Sequence, residues 1–139
     1  MCAPMRAERL AALEAAALVA LVRVSFLLTS YAATRRLLGR VAAHRPDRHA
    51  ADHAVTAARV GAATRAAARR LPGTTCLVEA LAAETMLRRR GVASTLHIGV
   101  RAPVLETPLD AHAWLECDGF VVVGDSADLA HYRVLTRPS

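Results

Sequence analysis

Cys76, His112 and Asp125 are the residues in this chain whose types and spacing suit covalent chemistry. Cys76 follows a Pro72-Gly73 break and heads a helical run, while His112 lies 36 residues on, in the apolar stretch Ala111-His112-Ala113-Trp114-Leu115-Glu116. A thiol at a helix N-terminus sees unpaired N–H groups and the positive end of the helix dipole, and a neighbouring imidazolium adds to the preference for thiolate. Cys76 would then be the nucleophile, His112 the base and later the acid, and Asp125 the group that fixes the imidazole tautomer. The Cys76 backbone N–H is a natural oxyanion donor. Each residue also has an ordinary alternative as a buried thiol, a strand histidine or a surface aspartate.

The register of a hairpin is what joins the histidine to the aspartate. Two apolar runs, Ala111 to Cys117 and Phe120 to Gly124, are separated by Asp118-Gly119, a strong two-residue turn signal. If Cys117 pairs with Phe120 and the ladder is regular, Glu116 faces Val121, Trp114 faces Val123 and His112 faces Asp125. Directly opposed side chains share a face with Cβ atoms about 4.5–5.5 Å apart. Asp118 is six residues from His112 along the strand, roughly 20 Å at the usual rise, and is too far to act. Trp114 would shelter the His112–Asp125 pair from water, or simply fill the core.

The elements needed to position these groups are legible on either side. Residues from about Ala7 to Leu28 read as one helix, with Leu10, Leu13, Ala17, Leu21, Val24 and Leu28 at spacings of three and four, broadened by Leu18, Val22 and Leu27. A shorter helix from about Ala33 to Ala43 carries Leu37, Leu38 and Val41 behind an exposed Arg35-Arg36 pair, and Arg45-Pro46-Asp47 closes it. A third runs from about Ala50 to Leu71. The helix headed by Cys76, capped by Thr74 or Thr75, runs to about Arg90 and stops at Gly91, with Arg88-Arg89-Arg90 favourable at the negative end of its dipole. The period then changes to two over Thr95–Arg101, a strand with Leu96, Ile98 and Val100 on one face. Ala102 to Asp110, with two prolines, is expected to be a loop. Helices followed by antiparallel strands make an α+β domain.

Composition narrows the class further. At 139 residues the chain fits a single domain, with 1–71 as a helical N-terminal part and 72–139 as the catalytic core. All eighteen basic residues are arginine, scattered in pairs and one triplet, so the net charge of +6 reads as solvated helix faces and nucleic acid is not an expected partner. Three cysteines without close spacing argue against a disulfide framework or structural zinc and fit a reducing cytosol. Cys2 and Cys117 are expected to be incidental. His49 and His53 share a helix face, but no glutamate follows His49, so the His-Glu-x-x-His pattern is absent and no metal is expected. The apolar stretch from Ala15 to Ala33 is almost long enough to cross a bilayer, yet Arg23 would fall near its middle, at a cost of roughly 2.5–3.5 kcal/mol. It is expected to be a helix of the folded domain, with a membrane-facing or partner-facing role as the alternative.

Pro72-Gly73-Thr74-Thr75-Cys76-Leu77-Val78-Glu79-Ala80-Leu81, Leu87-Arg88-Arg89-Arg90-Gly91-Val92, Ile98-Gly99-Val100 and Ala111-His112-Ala113-Trp114-Leu115-Glu116 together resemble the transglutaminase-like superfamily. The closer resemblance, over about residues 70–126, is to the lasso peptide leader peptidases, the B-type proteins of lasso peptide biosynthesis. The resemblance implies a transglutaminase-like (papain-like) cysteine protease core, with Cys76 and His112 as nucleophile and base, Asp125 as third member, and no cofactor. It also implies a cytoplasmic enzyme that removes the leader from a ribosomally made precursor, so that a separate ATP-dependent lasso cyclase can close the macrolactam. No leader-recognition domain fits ahead of the helices, so a separate leader-recognition protein is expected as partner. Two alternatives are a transglutaminase-like acyl transferase, which delivers the acyl group to an amine, and a non-enzymatic adaptor on a membrane or partner.

Overall fold

Alanine makes up about a third of the buried apolar residues, and it lets the helices approach one another closely. The computed structural model describes residues 2–43, 52–101 and 110–135. Four helices come first: α1 (Cys2–Leu28), α2 (Tyr31–Ala43), α3 (His53–Arg70) and α4 (Cys76–Arg89). They are followed by β1 (Thr95–Arg101), β2 (Asp110–Cys117) and β3 (Phe120–Val123), a short 3-10 turn (Leu129–His131) and β4 (Arg133–Val134). The sheet has the order β3-β2-β1-β4, antiparallel at each pairing. The α+β expectation holds.

α4 is the central element. Every residue from Ala80 to Leu87 is buried, and α1, α2, α3 and the sheet all pack against this helix. A helix covered on all sides needs small side chains where neighbours press closest, and Ala80, Ala82 and Ala83 supply them. Its one buried carboxylate, Glu84, is held by Arg35 of α2 and by Arg88. Arg35 is therefore half-buried in an ion pair, while Arg36 is the exposed member of the pair expected to be exposed together. The arginine triplet has more than a dipole to satisfy: Arg89 and Arg90 both reach Glu14 of α1, at 3.1 and 2.7 Å.

α1 turns a different face inward from the stripe its leucines suggest. Ala15, Leu18, Val19, Val22 and Ser25 are buried, whereas Leu10, Leu13, Val24 and Leu28 are exposed. Both sides of this helix are apolar, so periodicity alone does not choose between them. The Glu14 ion pairs with Arg89 and Arg90 favour the observed rotation, and Ala15 allows close packing. Met5–Leu28 is long and apolar enough to cross a membrane by length and composition. Here its Arg23 guanidinium lies against Gly73, in the turn that precedes Cys76.

Candidate active site

The helix headed by Cys76 begins where the sequence places it. Thr75 is its N-cap, and the Thr75 Oγ1 accepts from the Val78 N–H at 3.4 Å while the Thr75 carbonyl accepts from the Glu79 N–H at 3.1 Å. Cys76 is therefore the first helical residue. Its own N–H lies outside these cap bonds, at the positive end of α4. The side chain is half-buried and the thiol is free.

The thiol meets β2 beside His112. Cys76 Sγ accepts the Ala113 backbone N–H at 3.4 Å, which brings the expected nucleophile to the neighbour of the expected base. Ala113 pairs with Ile98 of β1 on one side, but β3 ends at Val123, so the other side of β2 at Ala113 has no strand beside it and the sulfur lies there.

The hairpin turn is as expected, but the ladder beyond it is not. Asp118 and Gly119 both have positive φ (49° and 81°), the geometry of a type I′ turn. Cys117 pairs with Phe120 and Glu116 with Val121. A bulge follows: Leu115, not Trp114, faces Val123, with Val122 as the extra residue. The opposed His112–Asp125 pair is therefore not formed, because the one-residue slip and the end of β3 remove the register on which it depended. In its place the Gly124 carbonyl accepts from His112 Nε2 at 2.6 Å. A carbonyl oxygen only accepts, so Nε2 carries the proton and Nδ1 presents its lone pair. Asp125 itself is exposed, and among the described residues its carboxylate makes no hydrogen bond to the imidazole.

Gly124 is required at its position. Its φ is +82°, and an added Cβ would come within 2.5 Å of the Ala113 carbonyl oxygen and 2.8 Å of the Trp114 Cα, both backbone atoms that cannot rotate away. Asp125 and Gly124 line a cleft of about 450 Å³ together with Thr74 before α4, Glu79 of α4, and Arg65 and Arg69 of α3. Burial pushes the Glu79 carboxyl above its ordinary range, with Arg65 and Arg69 pulling it partly back. Other grooves run along α1 and share no residue with this cleft.

An aromatic wall backs the imidazole. Trp114 is buried and stacks on His112 (ring centroids 6.1 Å apart) and on His97 of β1 (5.2 Å). Tyr132 completes a cluster of three rings, 5.5 Å from His112 and 6.4 Å from Trp114, and its hydroxyl donates to Asp110 at 2.7 Å, the largest cause of its raised pKa. Gly99 makes room for this cluster, since a Cβ there would sit 2.9 Å from Tyr132 Cβ and 3.0 Å from the Trp114 ring. Trp114 as a shelter for the imidazole thus fits the geometry, while Tyr132 was not foreseen, since the short segment that carries it has no strand-length periodicity. Cys117 is buried in the core, where burial and then Asp118 push its thiol upward, away from nucleophilic character. His53 is exposed at the start of α3, and His49 lies outside the described residues.

A family model described as the transglutaminase-like superfamily matches residues 18–137. The chain belongs to the transglutaminase-like superfamily. The match takes in the C-terminal part of α1 and all of α2 and α3 as well as the thiol and the sheet, so the family domain extends well into the helical half. Membership in the transglutaminase-like superfamily is compatible with cysteine-protease or acyltransferase activity. Comparison with curated proteins and with solved structures gave no match.

Proposed function

We propose that this transglutaminase-like protein is a cysteine peptidase that cleaves the leader from a ribosomally synthesised precursor, the step that precedes macrolactam closure in lasso peptide biosynthesis. The observation that carries the peptidase reading is the Cys76 thiol at the head of α4, bonded to the residue next to His112. The sequence resemblance around Cys76 and Ala111–Glu116 carries the narrower choice of substrate.

The chemistry assigned to these residues runs in two halves. The Cys76 thiolate attacks the scissile carbonyl carbon, the S–C bond forms, and the Cys76 backbone N–H faces the developing oxyanion. His112, protonated at Nδ1 after taking the thiol proton, gives that proton to the leaving amine as the C–N bond breaks. Water then attacks the thioester, His112 takes its proton, and the carboxylic acid product leaves as the thiol is restored. The Gly124 carbonyl holds the Nε2–H throughout, so Nδ1 is the nitrogen that takes and gives the proton. Asp125, which lines the cleft, adds a negative charge to the site's field.

The test is incubation of the protein with its precursor peptide and a separate leader-recognition protein, read by mass spectrometry. Two free peptides are expected, and none with Cys76→Ala. Unchanged cleavage by Cys76→Ala overturns the proposal, and a crosslinked product in place of free peptides assigns the site to acyl transfer. The free core peptide would pass to an ATP-dependent lasso cyclase.

A further inference from the structure

The bulge in β3 decides where the acceptor for His112 lies, and it is held from α3. An extra residue in a strand leaves backbone groups outside the ladder. The Val122 carbonyl is such a group, and Arg65 Nη1 donates to it at 2.6 Å. α3 can come this close because Gly61, one turn before Arg65, has no side chain: a Cβ there would lie 2.6 Å from the same Val122 oxygen. Two residues further on, the Gly124 carbonyl meets His112 Nε2. A regular ladder would instead have set Val123 against Trp114 and carried Gly124 one residue out of place.

We propose that Arg65 is a positioning residue: by holding the Val122 carbonyl it fixes the β-bulge, and the bulge places the Gly124 carbonyl as the acceptor that orients the His112 imidazole. The proposal rests on the reading of Cys76 and His112 as nucleophile and base. Its content is that the orienting group is a main-chain carbonyl whose position is set by a helix, and that Arg65 acts through geometry. Among the described residues, the charged and titratable groups near the thiol and imidazole include Glu79 on α4, Arg65 and Arg69 on α3, Arg23 on α1, Asp125 after β3, and Tyr132 with its partner Asp110 on β2. Removing Arg65 also removes one of these charges, so the test must separate position from charge.

The experiment follows alkylation of Cys76 by iodoacetamide across pH in the full chain, with peptide mapping to read Cys76 apart from Cys2 and Cys117. Wild type, Arg65→Met, Arg65→Lys, Asp125→Asn and His112→Ala are compared at low salt and at about 1 M NaCl, where the screening length falls to roughly 3 Å. Arg65→Met is expected to slow alkylation several-fold below neutral pH, to approach wild type in alkali, and to keep that deficit in high salt. Arg65→Lys, which retains a donor, recovers part of the rate, and Asp125→Asn, which removes a charge from the same cleft without touching the bulge, changes the profile only at low salt. Nitrogen-15 spectra of the His112 ring should show the proton on Nε2 in wild type and a mixture of tautomers in Arg65→Met. An Arg65→Met profile that overlays wild type, or a deficit that salt abolishes, overturns the positioning role. So does a collapsed fold in Arg65→Met, since methionine keeps the apolar stem and collapse would make Arg65 a structural residue. A His112→Ala profile identical to wild type would remove the underlying nucleophile–base reading instead, with the tautomer spectra still reporting on Arg65.

Discussion

At the scale of single residues, the orienting bond to His112 comes from a main-chain carbonyl, and that ranks the effects of substitution. His112→Ala should lower peptide cleavage by about 10²–10⁴-fold, the usual contribution of a positioned acid–base group. Asp125→Asn should cost far less, because the Gly124 carbonyl already meets Nε2, and Asp118→Asn, in the turn, should be close to neutral. Rates for the three variants on one precursor check this, and an Asp125→Asn loss equal to that of His112→Ala would contradict it. Glu79 offers a separate test through stability. Burial raises its carboxyl in the folded protein above the ordinary 4.5, so the native state holds a proton that the unfolded chain releases as pH rises. The native state binds the extra proton in that window, so stability falls as pH increases through it. Glu79→Gln should therefore be the more stable protein above the carboxylate range, and its thermal transition should converge on wild type as pH falls below that range. A less stable Glu79→Gln at neutral pH would show that Arg65 and Arg69 outweigh burial.

At the scale of elements, the close approach of α3 to β3 sets two effects of known size against each other at Gly61. Alanine there would gain roughly 1 kcal/mol of helix propensity over glycine. Its Cβ would also sit 2.6 Å from the Val122 carbonyl oxygen, a backbone atom that moves only with the strand. Overpacking of this kind costs about 1–3 kcal/mol, so Gly61→Ala should lower the denaturation midpoint despite the better helix former. A raised midpoint would mean that the strand gives way freely. The same contact shows where the sequence could be read and where it could not. Thr75 and Cys76 announced their helix through local capping chemistry, and Asp118-Gly119 announced its turn through backbone preferences, because both signals act within a few residues. The bulge at Val122 has no local signature: it depends on Gly61 and Arg65, about sixty residues earlier in the chain, meeting a carbonyl that a regular ladder would have occupied. The His112–Asp125 register failed for that reason, while the placement of Cys76 next to the His112 strand did not depend on it.

At the scale of the whole molecule, α1 poses the remaining question of sides. Its inward face is set by Glu14 with Arg89 and Arg90 and by the small Ala15 against the central helix, yet its outward face is nearly as apolar, with Leu13 68% and Leu27 82% exposed. Hydrophobicity therefore says little about which leucine contributes to the fold, and burial says much. Leu18, 4% exposed, should cost about 2–5 kcal/mol on truncation to alanine, since both its transfer energy and the cavity left behind are lost. Leu13→Gln combined with Leu27→Gln removes more apolar surface on paper but exposes nothing new, and surface changes of this sort stay within about 0.5 kcal/mol. Denaturant titration of Leu18→Ala and of the double glutamine variant checks the contrast. If the double variant unfolds as readily as Leu18→Ala, the outer face of α1 is covered in solution and the helix has neighbours beyond the described residues. If it melts with wild type, the face is free in the isolated protein, and the inward rotation chosen by Glu14 is sufficient to hold α1 on the helix that carries Cys76.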